Sequence, residues 1–173
     1  LMKAYEISPK NFWIVNAYIR VLKLNEKYRE AIKVIKRYLR KDDVLELQYA
    51  LASNMNIIGR ERKAINILDE IEESHGISER ILLKKVEIYK KKENYEKGKN
   101  ELKKLIEIMP ESPEYNILMA EYIEETENKK EAIHFYRKAY NLDTSNIYAI
   151  TNLADYYNNN KKYKEGLYFL NKA

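Results

Sequence analysis

Apolar side chains recur at spacings of three and four along nearly the whole chain, interrupted at short intervals by polar turns, a pattern that predicts a succession of amphipathic helices. One clear example gathers Tyr115, Met119, Tyr122 and Ile123 on a single helical face. Ser112-Pro113-Glu114 precedes it, offering a capping hydroxyl, a proline at the first helical position and an early carboxylate. The polar run Glu124 to Lys130 closes it, and a second helix is expected from about Lys130 to Leu142, with Ala132, Phe135, Tyr136 and Ala139 inward. The same order returns with Leu153-Ala154, Tyr157, a polar turn over 158–162, then Tyr163, Gly166, Leu170 and Ala173.

Small residues set the period. Ala31, Ala64, Gly98, Ala132 and Gly166 fall 33, 34, 34 and 34 residues apart, each just inside a predicted second helix. A small residue there lets the two helix backbones of a pair approach. Gly98 and Gly166 each give up about 1 kcal/mol of helix propensity relative to Ala, so close packing is the expected compensation. Pro9 and Pro110 stop second helices because proline supplies no amide, and Gly76 stops another through a left-handed backbone. A fixed period implies a stack of like units, and it moves the search for function from a pocket to an extended surface.

Composition removes several classes of function. The 173 residues are 45% apolar and 34% charged, and no cysteine is present, which excludes disulfide scaffolds, thiolate metal sites and thiol catalysis and leans the chain toward a cytoplasmic location. No apolar run is long enough to span a bilayer. The net charge of +5 comes from 24 Lys and 8 Arg interleaved with 27 acids, which reads as a solvated helical surface rather than a nucleic-acid stripe. Only 4 Gly and 3 Pro suggest few obligatory turns. His75 and His134 are isolated, Glu72-Glu73 and Glu124-Glu125 read as surface pairs, and no phosphate loop, nucleophile elbow or zinc motif occurs. No catalytic residue, metal or cofactor is expected.

Specific residues carry a family resemblance. Leu51-Ala52, Leu153-Ala154 and Met119-Ala120 supply a Leu-small pair or a near match, and Tyr89 and Tyr157 a first-helix aromatic. Tyr28, Tyr95 and Tyr163 supply a turn aromatic, and Ala132-x3-Tyr136-x2-Ala139 a second-helix signature. In these the chain resembles tetratricopeptide repeat (TPR) proteins. The resemblance implies an all-α, right-handed superhelical solenoid of antiparallel helix pairs, a single array over 1–173 with repeats at about 12–44, 45–78, 79–112, 113–146 and 147–173. The first repeat departs most, with Tyr18-Ile19 and Tyr38 in place of small residues; Glu61 and Lys129 replace the turn aromatic in the second and fourth. Residues 1–10 read as the end of a preceding repeat's second helix, the last repeat is incomplete, and no polar capping helix is visible. The expectation is a piece of a longer repeat protein whose uncapped ends allow end-to-end self-association.

The functional implication is a protein-interaction scaffold that holds a peptide or partner helix in a concave groove lined by the first helices. By repeat alignment the groove residues are Trp13, Asn16, Arg20 and Lys23; Glu46, Tyr49, Ser53 and Asn56; Arg80, Leu83, Lys84, Glu87 and Lys90; Glu114, Ile117, Glu121 and Glu124; and Tyr148, Thr151, Asn152, Asp155 and Asn158. Core packing is not expected to explain these positions. The partner is another protein or peptide; a membrane is not expected and nucleic acid is disfavoured. Alternatives are a regulatory or substrate-recruiting repeat domain of a larger enzyme and, ranked lower, an RNA-binding helical repeat. A carboxylate-clamp reading is disfavoured, since its places fall on Asn16, Arg20, Ala50, Arg80 and Lys84, of which only the last two match in type. The segment Glu79 to Lys92 holds six bases and two acids, whereas Pro113 to Thr126 holds four acids and no base. Either these helices pair across the repeat boundary, or the groove is basic at one end and acidic at the other.

Overall fold

The computed structural model of the chain describes residues 2–126 and 129–171, and all described regular structure is α-helical. Among the described residues eleven helices follow in order: α1 Met2–Ile7, α2 Phe12–Leu24, α3 Tyr28–Leu39, α4 Leu45–Ile57, α5 Glu61–His75, α6 Glu79–Lys91, α7 Tyr95–Ile108, α8 Pro113–Glu124, α9 Lys129–Leu142, α10 Ile147–Asn159 and α11 Tyr163–Leu170. Ala31, Ala64, Gly98, Ala132 and Gly166 are each the fourth residue of a second helix and each is buried. The chain forms two compact units, Leu1–Lys84 and Lys85–Ala173, with the division falling inside α6. Leu1, Lys172, Ala173, the turn residues Glu127 and Asn128 and the side chain of Lys129 lie outside the described residues, so the expectations placed on them stay at the level of sequence.

Four of the turns inside the pairs share one device that glycine counting misses. Glu26, Gly59, Glu93 and Lys161 all adopt positive φ, between 55° and 75°. At each, two hydrogen bonds close the preceding helix, as in Lys27 N to Leu22 O at 2.8 Å with Glu26 N to Lys23 O at 3.0 Å. Equivalent pairs form at Arg60 and Gly59, at Asn94 and Glu93, and at Lys162 and Lys161. This is a left-handed helix end that satisfies the last carbonyls, and a residue with a Cβ gives up about 1–2 kcal/mol to adopt it. Three of the four turns therefore accept that strain, correcting the expectation that few glycines mean few demanding turns. Gly76 closes α5 at φ 84° as expected.

In the first unit, Val15, Ile19, Ala31, Ile35, Leu47, Ala52, Met55, Ala64, Leu68 and Ile71 are all nearly inaccessible. The bulky residues of the first repeat fit by ring contacts: Tyr5 stacks on Tyr18 at 4.9 Å between centroids, and Phe12 meets the buried Tyr38 edge-on at 6.3 Å. Glu61, in place of a turn aromatic, is buried at the first position of α5.

In the second unit, Tyr115, Met119, Tyr122 and Ile123 are buried as their spacing predicts. Ser112 caps α8 by position only, because its hydroxyl donates to Glu114 Oε2 at 2.6 Å instead of serving the helix amides. The two glycines have different neighbours. A Cβ on Gly166 would meet the Asn158 side chain and the Ala154 carbonyl of its own repeat's first helix. A Cβ on Gly98 would instead meet the ring of Tyr122 on α8, the first helix of the next pair. The expected close approach within a pair thus holds at Gly166, whereas Gly98 makes room for a ring from the following pair. Tyr163 and Leu170, expected inward, are exposed, since no later helix among the described residues covers them. The inward ring of α11 is Phe169, stacked on Tyr157 at 5.6 Å and edge-on to Tyr140 at 5.2 Å.

Candidate interaction surface

The sequence-predicted groove residues lie on α2, α4, α6, α8 and α10, and their positions within each helix follow the repeat spacing of 33 and then 34 residues. In the first unit Trp13 is 77% exposed, touched by the ring of Phe12 edge-on at 5.4 Å. Arg20 is exposed; Asn16, Lys23, Ser53, Leu83 and Lys84 are half-buried.

Arg80 is already occupied. Its guanidinium gives two hydrogen bonds to Glu46, at 3.0 and 3.1 Å, and its carbon lies 3.8 Å from the centroid of the Tyr49 ring. Glu46 and Arg80 sit 34 residues apart, so equivalent positions of successive repeats form a bidentate pair. These hydrogen bonds, with the guanidinium charge behind them, hold the Glu46 carboxyl below its ordinary range.

In the second unit Tyr148, at the same repeat position as Trp13, is 70% exposed. Glu87, Glu114, Glu124, Thr151 and Asp155 are exposed, while Glu121, Asn152 and Asn158 are half-buried. Glu124 accepts from the Tyr136 hydroxyl at 3.0 Å, and Lys90 reaches Glu125 at 3.8 Å. Asn152 and Thr151 bond back to the Tyr148 carbonyl at 2.8 and 3.2 Å. Asp155 borders a surface cavity of about 470 Å³ that Glu124, Asn152 and Tyr156 also line.

Three groove candidates are explained by packing after all. Tyr49, Asn56 and Ile117 retain only 5%, 8% and 8% of their exposure, and Tyr49 lies beneath the Arg80 guanidinium. The charge contrast between the third and fourth repeats is spent in part on the Lys90–Glu125 pair, and Arg80 is spent on the second repeat. Sequence reading missed the buried amides of Asn54 and Asn116, whose nitrogens bond back one turn to Ala50 O at 2.6 Å and Ser112 O at 3.2 Å. A polar residue inside an apolar stripe was the available signal. Among the described residues no group of three His, Asp or Glu could hold a metal ion, and no helix is long and apolar enough to cross a membrane.

Solved structures share the fold. A crystal structure of MamA matches with a TM-score of 0.71 at 15% identity, over 95% of this chain and 90% of that one. MamA from Desulfovibrio magneticus RS-1, residues 41 to the end, matches with a TM-score of 0.69 at 16% identity, over 92% and 90%. YrrB, described as a TPR protein with an unusual peptide-binding site, matches with a TM-score of 0.65 at 13% identity, over 99% and 89%. The chain has the tetratricopeptide-repeat fold. No protein-family model matches the chain, and no curated protein matches it. At these identities the likeness concerns the TPR fold alone.

Proposed function

We propose that the chain is a protein-interaction module that binds a peptide or partner helix along the exposed face of its first helices, with no catalysis of its own. The observation that carries this reading is the pair of aromatic side chains at one repeat position, Trp13 and Tyr148. Each is more than two-thirds exposed near the start of a first helix, so most of a large ring is presented to solvent. Large aromatic anchors dominate binding energy in many protein interfaces. On the same first helices the first unit offers Asn16, Arg20, Ser53 and Lys84, and the second unit, taken by itself, offers Glu87, Glu121, Asn152 and Asp155. Tyr49 and Ile117 form floor rather than contact, and Arg80 shapes the surface through Glu46. That YrrB is described as having a peptide-binding site on this fold supports the reading.

Selection of peptides from a random displayed library on the immobilised chain tests it. Selected peptides should lose about tenfold or more in affinity on Trp13→Ala or Tyr148→Ala, as expected for an aromatic anchor. Unchanged affinity for every selected peptide in both variants would exclude the first-helix face. A cytoplasmic location belongs to the same proposal, resting on the absence of cysteine.

A further inference from the structure

We propose that the first unit carries a second binding surface, built on α1 and α3, for an acidic peptide segment. Lys33, Lys36, Arg37 and Arg40 follow one another at helical spacings of three, one and three, which places them on one face of α3 and its C-terminal cap. Among the described residues none of these four is paired with an acid. That sets them apart from Arg80, which Glu46 holds in a bidentate grip.

Two surface cavities, of about 600 and 450 Å³, adjoin this face, and Arg37 and Arg40 line both. Lys10 and Lys41 complete the rim of the larger, Lys33 and Lys36 that of the smaller. Against these six cations the linings hold two acids, Asp42 and Glu30, and the Glu30 carboxylate already lies 3.9 Å from Lys27. Compensation of the helix dipole accounts for cations in the last turn of α3. It does not account for Lys33 further back, nor for Lys10 and Lys41, which reach the same recess from outside the helix.

The shape of the surface favours a peptide. Guanidinium groups grip carboxylates bidentately, and two recesses sharing two arginines suit successive carboxylates along one extended segment. A bilayer is too flat to enter recesses of this kind. Single-stranded RNA calls for free ring faces on which bases stack; here Tyr5 and Tyr18, which line the smaller cavity, are stacked on each other.

Fluorescence anisotropy of a labelled oligoglutamate peptide, titrated with the full chain at about 50 mM salt, tests the proposal. Arg37→Gln with Arg40→Gln should weaken binding about tenfold, whereas Lys161→Gln with Lys164→Gln, the same change in net charge, should keep it within about twofold. Equal weakening in both, or no binding to the wild-type chain, would overturn it. So would tighter binding to oligouridylate or to phosphatidylserine vesicles than to the peptide. Should the arginine variant fail to fold by circular dichroism, amide shift mapping on the wild-type chain decides. Shifts at residues 33–41 support the site, and shifts confined elsewhere refute it.

Discussion

Gly98 and Gly166 hold the same place in their helices and both are buried, yet what lies over them differs in kind. Gly98 is covered by Tyr122, a ring with no exposed surface whose hydroxyl donates to the Val86 carbonyl. Gly166 is covered by the tip of Asn158, with the Ala154 carbonyl 3.2 Å from where a Cβ would stand. A buried, hydrogen-bonded ring has nowhere to go, whereas the end of an asparagine can turn. The spacing rule that places a small residue thus fixes the register of the helices but leaves the partner, and so the penalty for violating the rule, to tertiary structure.

Gly98→Ala carries the largest expected effect. Overpacking against Tyr122 should destabilise the chain by about 2–3 kcal/mol, outweighing a helix-propensity gain of about 1 kcal/mol. Chemical denaturation followed by circular dichroism measures this, and a loss below about 0.5 kcal/mol would mean the ring is free to move.

Next in size is Tyr122→Phe, which keeps the ring and removes the buried hydroxyl bond, with an expected loss of about 1 kcal/mol. The same residue leaves a signature in pH. Burial pushes the Tyr122 and Tyr136 hydroxyls well above the ordinary tyrosine range, with Glu124 adding to the shift at Tyr136. A group raised in the folded state binds more protons than the unfolded chain, so its contribution is complete below the unfolded tyrosine value near ~10 and falls as pH rises beyond it. Alkaline unfolding should therefore coincide with ionisation of these tyrosines, read at the tyrosinate absorbance band, and Tyr122→Phe should weaken the pH dependence.

Gly166→Ala should fall within about 0.5 kcal/mol of wild type, since rotation of Asn158 offsets the propensity gain. A loss as large as that at Gly98 would erase the contrast. Smallest of all is Arg80→Gln. The Glu46 carboxyl is held low when folded, so the pair contributes above the unfolded carboxylate range and is lost as pH falls through the lower folded value. Both side chains are about half exposed, so the change should be a few tenths of a kcal/mol, visible as a reduced acid-side slope.

The helix pairs were legible because a buried small residue and an apolar stripe leave periodic marks that no partner needs to complete. The left-handed turns were not, since Glu26, Glu93 and Lys161 carry no glycine signal and their conformation follows from how the second helix docks. Charge was the least legible feature. Repeat alignment pointed to Arg80, which Glu46 neutralises, while the unpaired cations of α3 sat in plain sight at helical spacing. Whether a charge is available depends on its tertiary neighbours, and sequence spacing alone does not report them.

Partners are expected to meet the first helices at Trp13 and Tyr148. A photo-crosslinking amino acid placed in turn at Trp13, Tyr148 and, as second-helix controls, Lys103 and Lys138, measures this directly with any peptide selected on the chain. Crosslinks are expected at Trp13 or Tyr148 and not at the controls. Crosslinks at Lys103 or Lys138 with none at Trp13 and Tyr148 would contradict it.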